Sequence, residues 1–328
     1  MAYVQAILQA CQRRQVDTQP LLRAAQILPA WLSQAERCVT AAQFEALSAA
    51  AMQRLDDEAL GWFERPLPWG SYGMLARASL TAPTLGVALR RWCRHHALLT
   101  RDITLSLPVH DQQAQVVLTE HRPPGGDGSL REFCHVSVLR NIHGLACWLI
   151  DSRIPLRGAR FAFAAPAHTD AYQVLFDGPC HFNAAHSAIG FDARYLQLPI
   201  LRDEAAMQQM LQRALSIQVR PYRRDRLLVQ RVRQLLHSQP QAIRNADDLA
   251  HRLNTSARSL HRQLQAEGAT LQTIKDSVRR ERAMALLQRT HSPLKQVAEA
   301  AGFQNEKSFI RAFKGWTGMA PGEWRANA

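Results

Sequence analysis

The last hundred residues repeat themselves. Leu249-Ala250 recurs as Val297-Ala298, and Leu260, Arg262 and Leu264 recur as Phe309, Arg311 and Phe313. The offset is 48 before a shared break and 49 after it. In both copies the apolar residues keep helical spacing on each side of the break, which predicts two short amphipathic helices joined by a tight turn. In the second copy Leu294, Val297, Ala298 and Ala301 line the first helix, and Gly302 supplies the positive φ that ends it. Asn305 then caps a helix whose apolar side is Phe309, Ile310 and Phe313. In the first copy Asn254 stands near the place of Gly302, asparagine being the next best residue for a left-handed turn. Asp247 or Asp248 is placed to cap the first helix of that copy, and Thr255 or Ser256 the second. Between the copies, about Leu271 to Leu287 reads as one long amphipathic helix with Ile274, Val278, Ala285 and Leu286 apolar. Ser292-Pro293 opens the second copy with proline at an early helical position.

Two helix-turn-helix units, 247–268 and 294–317, therefore make residues 229–328 an all-α domain. A short rigid helix pair that presents polar side chains fits a DNA major groove. Charge agrees. Of a net +13, residues 229–328 carry 16 Lys and Arg against 8 Asp and Glu, and hold all four lysines. Less than a third of the chain thus carries most of the excess, which suits a polyanion through counterion release.

The first two hundred residues have another texture. The pattern is helical to about Leu60, with Val4, Ile7, Leu8 and Cys11, then Leu21-Leu22, then Phe44, Leu47 and Ala51. The segment from Pro66 to Gly73 reads as a loop. Thr84 caps a helix carrying Leu85, Ala88, Leu89 and Trp92. Ile103 to Leu107 and Gln115 to Thr119 read as strands about a turn at Val109 to Ala114, and Leu130 to Ile150 as one long helix. Arg160 to Ala164, His181-Phe182 and Ala188 to Phe191 are further strands. The expectation is an α+β domain over 1–205. A helix and linker at 206–228 follow it, with a helix from Asp203 to Val219 and a hinge at Arg220 to Arg226.

The repeat, its joining helix, and the residues Ala301-Gly302-Phe303, Ser308-Phe309, Arg311-Ala312-Phe313-Lys314, Gly318 and Pro321 resemble the C-terminal signature of AraC/XylS-type bacterial transcription regulators. Ser308 departs from the aromatic usual there. The N-terminal part is similar to the arabinose-binding-type sensor domain found in one branch of that family. The likeness rests on Tyr72-Gly73, on Ala82 to Leu89, and on Phe182-Asn183, Ile189 to Asp192 and Leu196 to Pro199. The resemblance implies an effector-controlled, sequence-specific regulator of the activator type. Its partners would be promoter double-stranded DNA, RNA polymerase and a second copy of the chain. It implies two recognition helices per chain, entering successive major grooves. By family position Arg258, His261 and Arg262, beside Ser256, take the base-contacting places on the first. Glu306, Lys307 and Arg311, with Ser308 nearby, take them on the second. Arg258, His261 and Arg262 also share the face opposite Leu260 and Leu264, and arginine reads guanine O6 and N7. Arg311 has a structural alternative, pairing with Glu299. Arg279, Lys295 and Lys314 match backbone phosphates.

Against this stand weaker signals of chemistry. Pro179-Cys180-His181 resembles the methyl-acceptor motif of DNA alkyl-transfer proteins, some of which carry this DNA-binding module, but Phe182 replaces its arginine. A repair protein using Cys180 is one alternative, and an effector-independent DNA-binding protein another. His143 and Cys147 stand at metal-ligand spacing on a helix, where small buried residues serve equally. His95-His96 reads as a helix end, where imidazolium suits the dipole. No phosphate-binding glycine loop or nucleophile elbow occurs. No catalytic residue, cofactor or metal is expected, and the chain reads as a non-enzyme. No apolar run reaches a membrane span, and the start lacks a basic leader with an apolar core, so a cytoplasmic protein is expected. For the effector, Trp62, Phe63, Trp69, Tyr72 and Trp92 offer apolar walls. One of Arg77, Arg90, Arg91 and Arg94 is placed to meet a carboxylate, favouring a small acidic or lipid-like ligand.

Overall fold

The computed structural model describes residues 1–34, 37–125, 128–176, 178–212, 225–238, 243 and 245–327. The chain divides between Asp225 and Arg226 into two units. The first is α+β. Helices α1 (Ala2–Arg13), α2 (Gln19–Ala24), α3 (Ala41–Leu55), α4 (Ser71–Leu80) and α5 (Leu85–Leu99) precede strands β1 (Ile103–Ser106), β2 (Val109–His110) and β3 (Gln113–Glu120). Then come α6 (Ser129–Leu149), β4 (Leu156–Arg160), α7 (Asp170–Leu175), β5 (Cys180–His181), β6 (Ser187–Asp192) and α8 (Glu204–Leu211). The strand order is β1-β3-β6-β4-β5, with β2 also on β3. Pairing is antiparallel except between β4 and β5. On β3 burial alternates through Ala114, Val116 and Leu118, the period of a strand with one face on a core. Helix α6 is buried along most of its length, from Leu130 to Leu149.

Local chemistry explains the boundaries. Thr40 and Gln43 form a capping box at the start of α3, and the Thr84 side chain accepts from the Val87 N–H at the start of α5. The two stretches that carried the sensor-domain likeness meet here. The Leu85 N–H donates to the Leu198 carbonyl at 2.9 Å, and a Cβ on Gly86 would lie 3.1 Å from the Leu196 oxygen.

Several expectations need correction. Val109-His110 is strand, so the turn shrinks to Asp111-Gln112, with Asp111 at φ 52°. Arg160 to Ala164 is not a strand beyond Arg160. The Ala162 N–H leaves the ladder for the Ser187 hydroxyl, and Phe161 and Phe163 alternate because both sink into an aromatic cluster with Phe182. Ser71 to Gly73 belongs to α4 rather than to a loop. His96 is no imidazolium helix end, because burial pushes its pKa down to about 4. The described part of the helix expected at Asp203 to Val219 is α8, capped by the Asp203 side chain. Residues 213–219, and 220–224 of the expected hinge, lie outside the described residues. Leu211 packs near Gly73 of α4, so α8 belongs to the first unit.

The second unit is all helical: α9 (Leu227–Ser238), α10 (Ala246–Arg252), α11 (Ala257–Ala266), α12 (Leu271–Arg289), α13 (Leu294–Ala300), α14 (Glu306–Thr317) and α15 (Pro321–Asn327). It has two cores that share α12. Leu271, Ile274 and Val278 join Leu249, Leu260 and Leu264 in one, while Ala283 and Leu287 join Val297, Phe309 and Phe313 in the other. Ala285 and Leu286, expected on the buried stripe, are only partly covered. A helix serving two cores at its two ends does not need one continuous stripe.

Candidate functional site

Each copy of the repeat folds as a helix pair. In the first, Asn245 caps α10 by accepting from the Asp248 N–H at 2.8 Å, in place of the aspartates expected there. Asn254 takes φ 53° and the Thr255 N–H reaches back to the Ala250 carbonyl at 2.9 Å. Ser256 then caps α11, its hydroxyl accepting from the Ser259 N–H at 3.2 Å. Leu260 and Leu264 are fully buried, which turns the other side outward. Ser256, Arg258, His261 and Arg262 are all exposed. Among the described residues, neither arginine forms an ion pair.

The second copy repeats this plan. Gly302 has φ 86°, and Asn305 caps α14 by accepting from the Ser308 N–H at 2.8 Å. Phe309 and Phe313 are fully buried. Lys307, Arg311 and Lys314 are exposed, and their spacing of four and three places them on one face. Glu306 and Ser308 are half-buried. No pair between Arg311 and Glu299 forms among the described residues. Arg279 lies with its guanidinium 5.0 Å from the Phe303 ring centre, beside the turn, and Lys295 is exposed.

In the first unit the aromatic residues singled out from the sequence converge. Trp62, Phe63, Trp69, Tyr72 and Trp92 line one cavity of about 370 Å³, with Met52, Leu75, Val138 and Leu211 among its apolar walls. Tyr72 and Trp92 meet edge to face at 5.4 Å, and Trp69 is half exposed. Of the four arginines considered, Arg77 alone is among the residues lining it, and its Nε donates to Glu204 at 3.0 Å. Sequence reasoning missed Glu45, Glu58, His96 and Asn141, which also line it. They come from separate helices and loops with no local pattern.

The model of the arabinose-binding domain of AraC transcription regulators, N-terminal, matches residues 16–200, more than half of the chain. A helix-turn-helix domain model matches residues 249–327. The chain belongs to the AraC family of transcription regulators. It is 28% identical over 328 residues to the ornithine utilization regulator of Pseudomonas aeruginosa, covering 99% of this chain and 95% of that protein. It is 26% identical over 268 residues to the transcriptional regulator VqsM of the same organism, covering 77% and 79%. Among solved structures it resembles the transcriptional regulator CdpR from Pseudomonas aeruginosa, with a TM-score of 0.36, 20% identity, and 99% and 98% coverage. As an AraC-family member it is a DNA-binding transcription regulator with an N-terminal sensor domain.

The geometry gives the regulator's other candidate groups structural roles. Cys180 is half-buried in β5, its thiol points to the Gly178 carbonyl at 3.6 Å, and burial raises its pKa. A methyl acceptor needs the opposite, a stabilised thiolate. His143 contacts the Ile154 carbonyl at 2.8 Å and Cys147 at 3.6 Å. Among the described residues no group of three or more His, Cys, Asp or Glu could hold a metal. His135 bridges Ser187 Oγ at 2.8 Å and Glu120 at 3.1 Å, the atom order of a hydrolytic triad. Both Ser187 and His135 are fully buried, however, and the serine oxygen accepts the Ala162 N–H. It clamps α6 to the sheet. Among the described residues no helix is long and apolar enough to cross a membrane.

Proposed function

We propose that this regulator couples a small molecule held in the cavity of its N-terminal domain to sequence-specific reading of promoter DNA by α11 and α14. The observation that carries the reading is the pair of outward faces: Arg258, His261 and Arg262 on α11, and Lys307, Arg311 and Lys314 on α14. Exposed cations on a short helix capped by Ser256 or Asn305 are poised for a polyanion rather than for an intramolecular partner. Arg258 and Arg262 read bases, each bidentate contact to guanine contributing about 1–3 kcal/mol of discrimination. Lys314, Lys295, Arg279 and the helix N-termini hold phosphates. Glu306 accepts from cytosine N4 or rejects other bases by its charge, with Lys307, Ser308 and Arg311 beside it.

The first unit, α8 included, binds the effector and pairs two copies, and the second unit reads DNA. Effector binding shifts the population of dimers competent to engage DNA and RNA polymerase in the bacterial cytoplasm. Ornithine, from the name of the Pseudomonas relative, is the first compound to test as effector. The reading is tested by footprinting the full chain on the DNA upstream of its own gene and of neighbouring genes at several salt concentrations. Protection of successive major-groove segments about one helical turn apart, weakening steeply with salt, is expected. Absence of any salt-dependent protected site contradicts it.

A further inference from the structure

The cavity of the first unit gathers a set of unmet hydrogen bonds. Trp62, Tyr72, His96 and Asn141 all line it, and each carries a buried polar atom with no partner among the described residues: Trp62 Nε1, Tyr72 Oη, His96 Nδ1 and Asn141 Oδ1. Trp62 and His96 are each only 5% exposed. Ring contacts tie three of the four together. Phe63 meets Trp62 at 6.2 Å and His96 at 6.1 Å, and Tyr72 meets Trp92, which stands one turn before His96 on α5. Asn141 comes from α6, three residues after Val138, which lines the same space.

A buried polar group left unpaired carries its full desolvation cost, so these atoms call for partners from whatever fills the space. The atoms define those partners. Indole Nε1 only donates and needs an acceptor, whereas Asn141 Oδ1 only accepts and needs a donor. The Tyr72 hydroxyl serves either way, and so does Nδ1 of a neutral His96, whose pKa burial pushes down to about 4. A hydrocarbon would leave all four atoms unmet. A group that only accepts would leave Asn141 unmet, and one that only donates would leave Trp62.

We propose that this cavity takes a small molecule with a mainly apolar body and a head group that both accepts and donates hydrogen bonds, as a carboxamide or a hydroxyl does, held by Trp62, Tyr72, His96 and Asn141. The body packs against the apolar walls, Met52, Leu75, Val138 and Leu211 among them. The residues that select the ligand therefore cost the free chain stability. This rests on the effector reading above and names the class of its ligand.

Two measurements on the full chain test it. In thermal melts Tyr72→Phe removes an unmet hydroxyl at nearly constant shape, and should raise the Tm of the free chain by about 2–4 °C. An unchanged or lower Tm means that the hydroxyl is already satisfied in the free protein, and overturns the assignment. Calorimetric titration then uses two matched trios: phenylacetamide, phenylacetone and 2-methyl-3-phenylpropene, and hexanamide, heptan-2-one and 2-methyl-1-heptene. Each trio keeps the skeleton and exchanges amide for ketone for hydrocarbon. The amide of at least one trio is expected to bind about tenfold tighter than its ketone, with the hydrocarbon weaker still. Tyr72→Phe should weaken the amide by about tenfold and leave the hydrocarbon as before, and Asn141→Leu should erase the advantage of amide over ketone. A ketone or hydrocarbon that binds as tightly as its amide, or an amide preference that survives both variants, overturns the ligand class and leaves effector control standing. Silence of all six compounds and of ornithine, with the chain folded and bound to its DNA, counts against both.

Discussion

The two helix-turn-helix copies share a backbone plan and differ in where their identity lies. The second is defined from within: Phe303, Phe309, Phe313, Trp316 and Trp324 pack ring on ring behind α14. The first has only aliphatic filling, Leu249, Leu260 and Leu264, and its distinctive residues are outside, on the exposed face of α11. Its core is instead extended by α9, tied to α12 where Arg233 donates to Glu281 at 2.6 Å and to the Ser277 hydroxyl at 3.1 Å. The lesson is that one repeat supplies the family's recognisable core and the other the outward face with two arginines, which is proposed to read bases.

The largest effect that tests this contrast lies in the cores. Phe309→Ala should cost about 3–5 kcal/mol and Leu260→Ala less, within about 2–5 kcal/mol, in urea melts of the full chain. Equal or reversed costs would break the distinction between an aromatic and an aliphatic copy. Next come the turns. Gly302→Ala places a Cβ at φ 86° and should cost about 1 kcal/mol, whereas Asn254→Gly relieves a side chain at φ 53° and should stabilise slightly. Thermal melts of both variants check the signs.

On DNA, Lys314→Ala should weaken all sequences alike and reduce the salt slope by about 1, read from affinities at several salt concentrations. A base-dependent loss would move Lys314 from phosphate to base contact. The smallest effect concerns acid. Burial would raise the Glu281 pKa, but its bonds to Arg233 and Ser277 and the nearby His237 win, so it ends below the ordinary carboxylate value. Its stabilisation is then complete above that ordinary value and disappears as pH falls through the depressed one. Glu281→Gln should therefore flatten the acid limb of stability against pH, and an unchanged limb would separate the α9 tie from the first copy's stability.

Much of this was readable from the chain. The spacing of Leu260 and Leu264, the caps Ser256 and Asn305, and the turn residues Asn254 and Gly302 are local devices, and each appears in the fold as expected. The aspartates at 247 and 248 were mistaken for caps because capping depends on where the backbone enters the helix, which composition does not specify. The polar lining of the cavity in the first unit was illegible for a deeper reason. Arg77 finds Glu204 across 127 residues of sequence, and Glu58 reaches a cavity assembled from α3 to α8. Such pairings exist only after folding.

The account stands on α11 as the principal reader of bases. The direct measurement is the affinity of the full chain and of Arg258→Ala for a library of binding sites varied one base pair at a time. The account predicts that Arg258→Ala loses about 1–3 kcal/mol on the preferred site and becomes indifferent at one or two adjacent positions while other preferences persist. If the variant instead weakens every sequence equally, or leaves the preference profile intact, Arg258 does not read bases and the division of labour between the two copies is wrong.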